Sequence, residues 1–451
     1  MTMPRRKGHL TLGGFFHPTG NHVAAWLHPE AQIDAGVNFQ HYVQLAQTAE
    51  RAKFDLLFVA DALATRDGNL EALKRWPQYM AYFDPTMLMA GLAAVTQHIG
   101  LVATASASFN EPYNIARRFA SLDLMSNGRA GWNVVTGSNV AEVYNFGRGE
   151  LEEHDSRYER ADEFVEVCRG LWDSWDDDAF LRDRKTALYF DPQKLHYLHH
   201  KGRHFSVRGP LNVARTPQGH PVLANAGVSD RGKEFAAKFA EMIFTPLQSL
   251  EQAQGLYQDL KGRMAKYGRH PDHLKITPGL NVIVGRTDAE AEEKHQQLQS
   301  LIHPDVGRQL LSTELGIDLI PFPVDKPLPY HLIDEKATAQ RGRLVERARR
   351  ENMTIRDMYL WYAGARGNRT LKGSPQTVVD SMEEWFLKEG VDGFLIQPAV
   401  LPAGLNDFVE LVIPELRRRG LARTEYTGRT LRENLGLPRP VSRHATARAA
   451  E

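Results

Sequence analysis

Short apolar runs that alternate with longer amphipathic stretches constrain this chain more than any other feature. HLTLGGFF (9–16), FDLLFVAD (54–61), IGLVATAS (99–106), RAGWNVVT (129–136), HPVLANAG (220–227), AEMIFT (240–245), LKITPGLNVIVG (274–285) and DGFLIQP (392–398) are eight strand candidates. Between them, stretches such as NFQHYVQLAQTAERA (38–52), YNIARRFASLDLMS (113–126) and DRGKEFAAKFA (230–240) carry apolar residues three and four apart, the spacing of one helix face. Strand and helix in regular alternation imply parallel strands with helical crossovers, and eight such units favour closure into a (β/α)8 TIM barrel. The rival is an open doubly wound sheet, but no GxGxxG follows an early strand.

A chain of 451 residues has room for two or three domains, although barrels with insertions reach this size as one unit. The expectation is a single barrel domain over 1–451, with insertions at about 176–216 and 286–373 and a C-terminal tail at about 421–451. The first insertion is rich in charge, His and Pro and reads as short strands or loops. The second holds helical patterns, the Pro-rich LIPFPVDKPLPY and the basic helix TAQRGRLVERARREN. Insertions of this length on a barrel either cover the site or form a subunit interface.

Barrels carry their reactive groups at the carboxyl ends of the strands. Those ends supply Asp61; Thr104 and Ser106; Asn133 and Thr136, followed by Gly137, Ser138 and Asn139; and Asn225, Ala226, Gly227, Val228 and Ser229. Small hydroxyl and amide groups dominate, which suits holding a large planar polar molecule better than activating a nucleophile. Asp61 is either a general base or a cap. Asn133, inside an apolar run, needs a partner for its amide. In AGVSDRGKEF a strand passes through small residues into a helix, so the N–H groups of Gly227, Val228 and Ser229 suit a phosphate, or Ser229 is an ordinary N-cap.

Other features point to no further chemistry. Lys plus Arg equals Asp plus Glu at 55 each, leaving no net field to gather nucleic acid or an anionic membrane. The lone Cys168 sits on the apolar side of a helix pattern and reads as a core thiol. The histidines of HYLHHKGRH (196–204) lack carboxylates in a fixed helical register and read as loop or hairpin residues, so no metal site is expected. The N-terminal stretch has no apolar signal region and no eighteen-residue apolar span occurs, so a soluble cytoplasmic protein is expected.

WNVVT with the following NFG, HDSRYERADEF (154–164), AGVSDRG (226–232) and DGFLIQPAVLP (392–402), in that order, resemble the flavin-dependent monooxygenases related to bacterial luciferase. The nearest branch is that of the component-A oxygenases for nitrilotriacetate, EDTA and dibenzothiophene sulfone, and the likeness runs from His9 to Leu437. The resemblance implies a two-component system. Reduced FMN arrives by diffusion from a separate NAD(P)H:FMN reductase, and O2 is the co-substrate. A small organic molecule is oxygenated with C–N or C–S cleavage, and the chain forms a homodimer or homotetramer. It further implies that Asp61, Thr104, Ser106, Asn133, Thr136, His154, Tyr158 and the run Ala226, Gly227, Val228, Ser229 hold the flavin. Asn133, Thr104 and His22 are the catalytic candidates, and His22 with Arg366 and Arg369 the substrate contacts. His22 either donates a proton and orients substrate or is a loop histidine with satisfied hydrogen bonds. Arg66, Lys74, Arg75, Trp76 and Tyr79 mix cations with aromatics, which leaves an aminopolycarboxylate and an aromatic or sulfur compound both open as substrate. The alternatives are a deazaflavin (F420)-dependent oxidoreductase of the same superfamily and a non-catalytic flavin-binding protein.

Overall fold

The structure, a computed structural model, describes residues 8–137 and 139–448; Ser138 of the expected binding loop lies outside them. Its strands are β1 Thr11–Phe15, β2 Leu56–Val59, β3 Gly100–Ser106, β4 Ala130–Val135, β5 His200–Lys201, β6 Ser206–Val207, β7 Val222–Asn225, β8 Met242–Ile243, β9 Lys275–Ile276, β10 Gly279–Val284, β11 Arg369–Gly373 and β12 Gly393–Pro398. Ten of them form one parallel sheet in the order β11-β10-β12-β1-β2-β3-β4-β7-β8-β9. All eight expected strands are present.

The sheet closes on itself through residues 275–284, which the sequence presents as one apolar run. Its first half, β9, pairs with β8, and its second half, β10, pairs with β12. Pro278 has no N–H and interrupts the ladder between the halves. The Asp392 N–H donates to the Ile276 carbonyl at 2.8 Å and the Leu395 N–H to the Pro278 carbonyl at 2.9 Å, which joins the two ends of the sheet into a barrel. β11 adds outside β10 and is not a barrel strand.

Alternation along each strand divides the apolar residues between two cores. Phe15, Leu56, Phe58, Val102, Val222, Ala224, Met242 and Leu395 fill the barrel. Their strand neighbours Leu57, Leu101, Trp132 and Leu223 face the surrounding helices. Those helices begin where the sequence provides caps. Asn38 accepts the His41 N–H at the start of Phe39–Arg51, and Asp84 accepts two N–H groups ahead of Pro85–Ala93.

The amino end of the barrel is stoppered by the C-terminal tail. Leu431, Leu435 and Leu437 join the interior cluster, and Leu431 fills space that the glycines at 100 and 131 leave open. Arg432, almost fully buried, holds this plug in place by pairing with Glu241 and donating to the His220 carbonyl at 3.0 Å.

Both expected insertions have definite structure. Within 176–216, β5 and β6 form an antiparallel hairpin that Glu163 ties to the helix His154–Trp172, accepting the N–H groups of His204 (2.9 Å) and Phe205 (2.8 Å). Within 286–373 the helices Asp288–Ser300, Pro304–Leu315, Ala339–Arg350 and Ile355–Ala365 build a second core around Leu311, Val345 and Tyr359, which also takes in Leu73 and Trp76 from the segment after β2. No described helix is long and apolar enough to cross a membrane.

If the tail acts as a stopper, Leu431→Ala should cost about 3 kcal/mol, the range for a fully buried leucine whose cavity cannot collapse. Urea denaturation measures it, and a loss below about 1 kcal/mol would show the tail to be peripheral.

Candidate active site

The carboxyl ends of β2, β3, β4 and β7 open into a cavity of about 1420 Å³. The helix Pro304–Leu315 contributes Gln309, Ser312 and Glu314 to its wall, so the second insertion forms part of that wall. Of the residues expected to hold a flavin, Asp61, Ser106, Thr136, His154, Tyr158, Ala226, Gly227, Val228 and Ser229 all line this one space.

Its most ordered corner lies beyond β7. Ser229 caps the helix Asp230–Phe239, its Oγ accepting the Gly232 N–H at 3.1 Å, and the same hydroxyl lies 3.1 Å from His154 Nε2. Ser229 is therefore an N-cap and a wall of the cavity at once. A Cβ on Gly227 would fall on the Tyr158 hydroxyl, so only glycine permits this close approach. Tyr158 is buried between His154 and Phe235, with its hydroxyl in reach of Thr136 and Ser229. Arg157, one residue earlier, donates to the Gly137 carbonyl while its buried Nε has no hydrogen-bond partner. Hydroxyls, a helix N-terminus and a guanidinium thus converge on one side of the cavity, a donor set suited to phosphate. Arg157 lines the cavity without having been among the residues expected there.

Below the cavity lies a polar pair inside the apolar barrel. Thr104 and Asn133 are register partners on β3 and β4. Asn133 Nδ2 donates to Thr104 Oγ1 at 2.9 Å, and that hydroxyl donates to the Val59 carbonyl at 2.8 Å. Asn133 Oδ1 is buried without a partner, an exposed cost of desolvation that a bound donor would remove. Neither side chain belongs to the cavity wall, to which β4 contributes Val134 and Val135.

Asp61 stands at the end of β2, where Tyr82 Oη donates to its Oδ1 at 3.2 Å. Burial raises its pKa to about 6, against the lowering effect of that hydrogen bond, with Asp84 and Glu142 adding to the rise. Neither Tyr82 nor Glu142, whose own carboxyl is raised by burial, is distinguishable in the sequence from an ordinary loop residue.

The expected substrate contacts separate. His22 lines a smaller cavity of about 140 Å³ with Arg366, His17 and Trp76. Its Nδ1 accepts the Ala24 N–H at 3.2 Å, leaving Nε2 to donate to Gln299 Oε1 at 3.4 Å. Burial lowers its pKa to about 3, so it is neutral at ordinary pH. Both ring nitrogens thus have hydrogen-bond partners. Arg369 points elsewhere: on β11 its guanidinium donates to Ser381 Oγ at 2.7 Å and stacks 4.7 Å from the Trp385 ring centre. The hairpin histidines are tied to carboxylates, His196 to Asp176 and His200 to Glu163, both at 2.9 Å. Among the described residues no group of three or more His, Cys, Asp or Glu could hold a metal ion. Cys168 is a buried core thiol whose Sγ lies 3.4 Å from the Pro112 carbonyl.

Residues 14–393 match the luciferase-like monooxygenase family. The chain belongs to that family. It is 48% identical over 98% of its length to the N-acetyl-S-(2-succino)cysteine monooxygenase of Bacillus subtilis (strain 168), covering 100% of that protein. It is 47% identical over 96% of its length to nitrilotriacetate monooxygenase component A of Aminobacter aminovorans, covering 97% of that protein. The crystal structure of DmoA from Hyphomicrobium sulfonivorans superimposes with a TM-score of 0.86 at 34% identity, covering 95% of this chain and 92% of that one. The chain is thus an enzyme of the luciferase-like monooxygenases, in the branch its motifs indicated.

The Asp61 environment makes a signed prediction. Its folded pKa lies above the ordinary 3.8, so the folded state binds that proton more tightly, and the associated stability is lost as pH rises from about 4 through 6. Asp61→Asn should therefore gain on the wild type by about 1–2 kcal/mol between pH 4 and pH 8, a value discounted because the carboxyl borders the open cavity. Urea denaturation at both pH values checks it; an advantage that stays constant would remove the buried-carboxyl account.

Proposed function

We propose that this chain is the oxygenase of a two-component system. It binds reduced FMN made by a separate NAD(P)H:FMN reductase and uses O2 to oxygenate a small organic substrate, with C–N or C–S cleavage. The observation that carries this reading is the cavity itself, which gathers a phosphate-type donor set from Ser229, Tyr158 and Arg157 beside Gly227; outside its wall, the buried Asn133 Oδ1 has no hydrogen-bond partner. The residues fit the group: Ser229, Tyr158, Arg157 and the N-terminus of the helix Asp230–Phe239 bring donors to one corner of the cavity. When bound, the reduced flavin supplies the electrons that activate O2.

The chain's own contributions are binding, exclusion of water and control of one proton. Ser229, Tyr158 and Arg157 would fix the phosphate end, and Thr104 orients the Asn133 amide through its hydrogen bond. The helix Pro304–Leu315 narrows access to bulk solvent, which protects reactive oxygen chemistry from hydrolysis. Asp61, with a pKa near neutrality and Tyr82 on its Oδ1, can hold a proton at that carboxylate and release it. His22, neutral and hydrogen-bonded, serves as part of the substrate-side wall.

The reading is tested by the source of electrons. NADH, FMN and this chain alone should give no oxygen uptake above the free-solution background. Adding an unrelated FMN reductase, or supplying photoreduced FMN, should restore oxygen-dependent turnover of the true substrate. Rapid NADH oxidation by the isolated chain would contradict the two-component reading, and turnover without oxygen would favour a deazaflavin-type hydride transfer. Asn133→Ala should leave FMN affinity within about threefold of wild type, since one net hydrogen bond is at stake, while most of the oxygen consumed emerges as hydrogen peroxide. Wild-type coupling in that variant would remove Asn133 from the reacting region.

A further inference from the structure

Arg66 lines the large cavity and Arg366 the small one, which Asp34 also borders, and neither guanidinium is paired with a carboxylate. Arg66, on the segment after β2, lies flat over Trp76 with its Cζ 4.0 Å from the ring centre, and 5.2 Å from that of Tyr79. Its Nη2 donates to Gln78 Oε1 at 2.6 Å, and its buried Nε has no partner. Arg366 follows the helix Ile355–Ala365 in the left-handed conformation, φ 51° and ψ 44°, with its backbone N–H donating to the Tyr362 carbonyl at 2.7 Å. That turn carries the guanidinium into the small cavity, where Nε and Nη1 are both buried without partners. Among the described residues no carboxylate oxygen lies within 4.0 Å of either guanidinium. The nearest opposing charge, the Glu314 carboxylate, acts on Arg66 only at longer range. Burial, and after it the neighbouring Arg66, lowers the Arg366 pKa to about 9, the mark of a cation held without its counter-ion.

Two like charges and three idle donors in a desolvated place are expensive, and the contacts of Arg66 with Trp76, Tyr79 and Gln78 offset only part of that cost. The surrounding surface shows what would. A planar guanidinium pinned on an aromatic face presents its free edge in fixed orientation, the arrangement that accepts a carboxylate in two parallel hydrogen bonds. The apolar faces of Trp76 and Val23 and the neutral imidazole of His22 border the same small cavity, so a hydrocarbon stem can follow the anionic head. The phosphate-type donors lie elsewhere, at the end of β7, so the arginine pair is a separate anion site.

We propose that Arg66 and Arg366 form a carboxylate-binding subsite, and that the molecule oxygenated here is therefore an organic acid. Naming that acid as substrate rests on the oxygenase reading above; the binding of the anion does not. Both guanidiniums would contact the acid directly, Arg66 beside Tyr79 from the wall of the large cavity and Arg366 from that of the small one.

The test uses the full-length, flavin-free chain in calorimetric titrations with succinate, with nitrilotriacetate and its uncharged trimethyl ester, and with inorganic phosphate. At least one of the two carboxylates should bind saturably, the ester should not, and phosphate should not displace the bound acid. Arg366→Met and Arg66→Met should each weaken the acid by at least about 10-fold, with Arg66→Lys recovering part of the loss. Ligand-free Arg366→Met should melt at or above the wild-type temperature, because it removes an uncompensated charge. The proposal is overturned if neither carboxylate binds, if ester or phosphate competes equally, or if Arg366→Met melts well below wild type, which would make the guanidinium a structural group. FMN titrated in parallel keeps the two readings apart. Arginine-dependent binding of the acid without FMN binding would end the flavin reading and leave the subsite standing.

Discussion

Asp392 exchanges two hydrogen bonds with Ile276, its N–H donating to the Ile276 carbonyl and its carboxylate accepting the Ile276 N–H, each at 2.8 Å. Lys261 Nζ pairs with the same carboxylate at 3.0 Å, and Tyr257 Oη donates to its other oxygen at 3.2 Å. This buckle holds the run 275–284 between β8 and β12 and turns an open parallel sheet into a ring. Everything functional in the molecule depends on that closure, because a ring of parallel strands brings all the carboxyl ends to one rim. In an open sheet the end of β2 with Asp61 and the end of β7 with Gly227 would have no cause to face one cavity.

On that rim the chain divides labour by side-chain size. Where β7 passes into its helix the residues are small, and the absence of a Cβ at Gly227 lets Tyr158 approach the backbone closely enough to leave a polar corner. On the segment after β2 the residues are large, and Trp76 and Tyr79 hold Arg66 rather than filling the space. Between these ends, Thr104 and Asn133 put one polar layer into an otherwise apolar barrel. The cost of the buried Asn133 carbonyl is retained in the ligand-free chain and would be relieved only by a bound donor, which is the physical sense in which the site is prepared for a ligand.

Much of this was legible in the sequence where a residue's neighbours in the chain decide its fate. The eight apolar runs became strands because alternation along a parallel strand leaves little choice of face, and the AGVSDRG block became the turn and capped helix start that its small residues and Ser229 suit. Legibility failed where a long side chain chooses its own destination. Arg366 and Arg369 are three residues apart and equally plausible on paper, yet the helix ends at Arg366 with positive φ, Gly367 continues the reversal at φ 81°, and Arg369 emerges on the far side over Trp385. β11 escaped notice because RTLKG carries two cations and no apolar run. The tail plug was invisible because Leu431 fits space made by glycines hundreds of residues away. Arg157 was overlooked for a related reason: its role depends on a buried, partnerless Nε that no pattern encodes.

The central claim is that the large cavity is a flavin site whose affinity comes from the donors gathered at Gly227, Ser229, Tyr158 and Arg157. Anaerobic titration of the purified chain with reduced FMN, reduced riboflavin and reduced FAD addresses it most directly, since the first two differ only in the phosphate. The account predicts that FMN binds at one site per chain at least about 10-fold more tightly than riboflavin, the worth of one charge-assisted contact or more, with FAD weaker than FMN. Equal affinity for riboflavin and FMN would show that the corner beyond β7 is no phosphate cradle, and the assignment of the cavity would have to be abandoned.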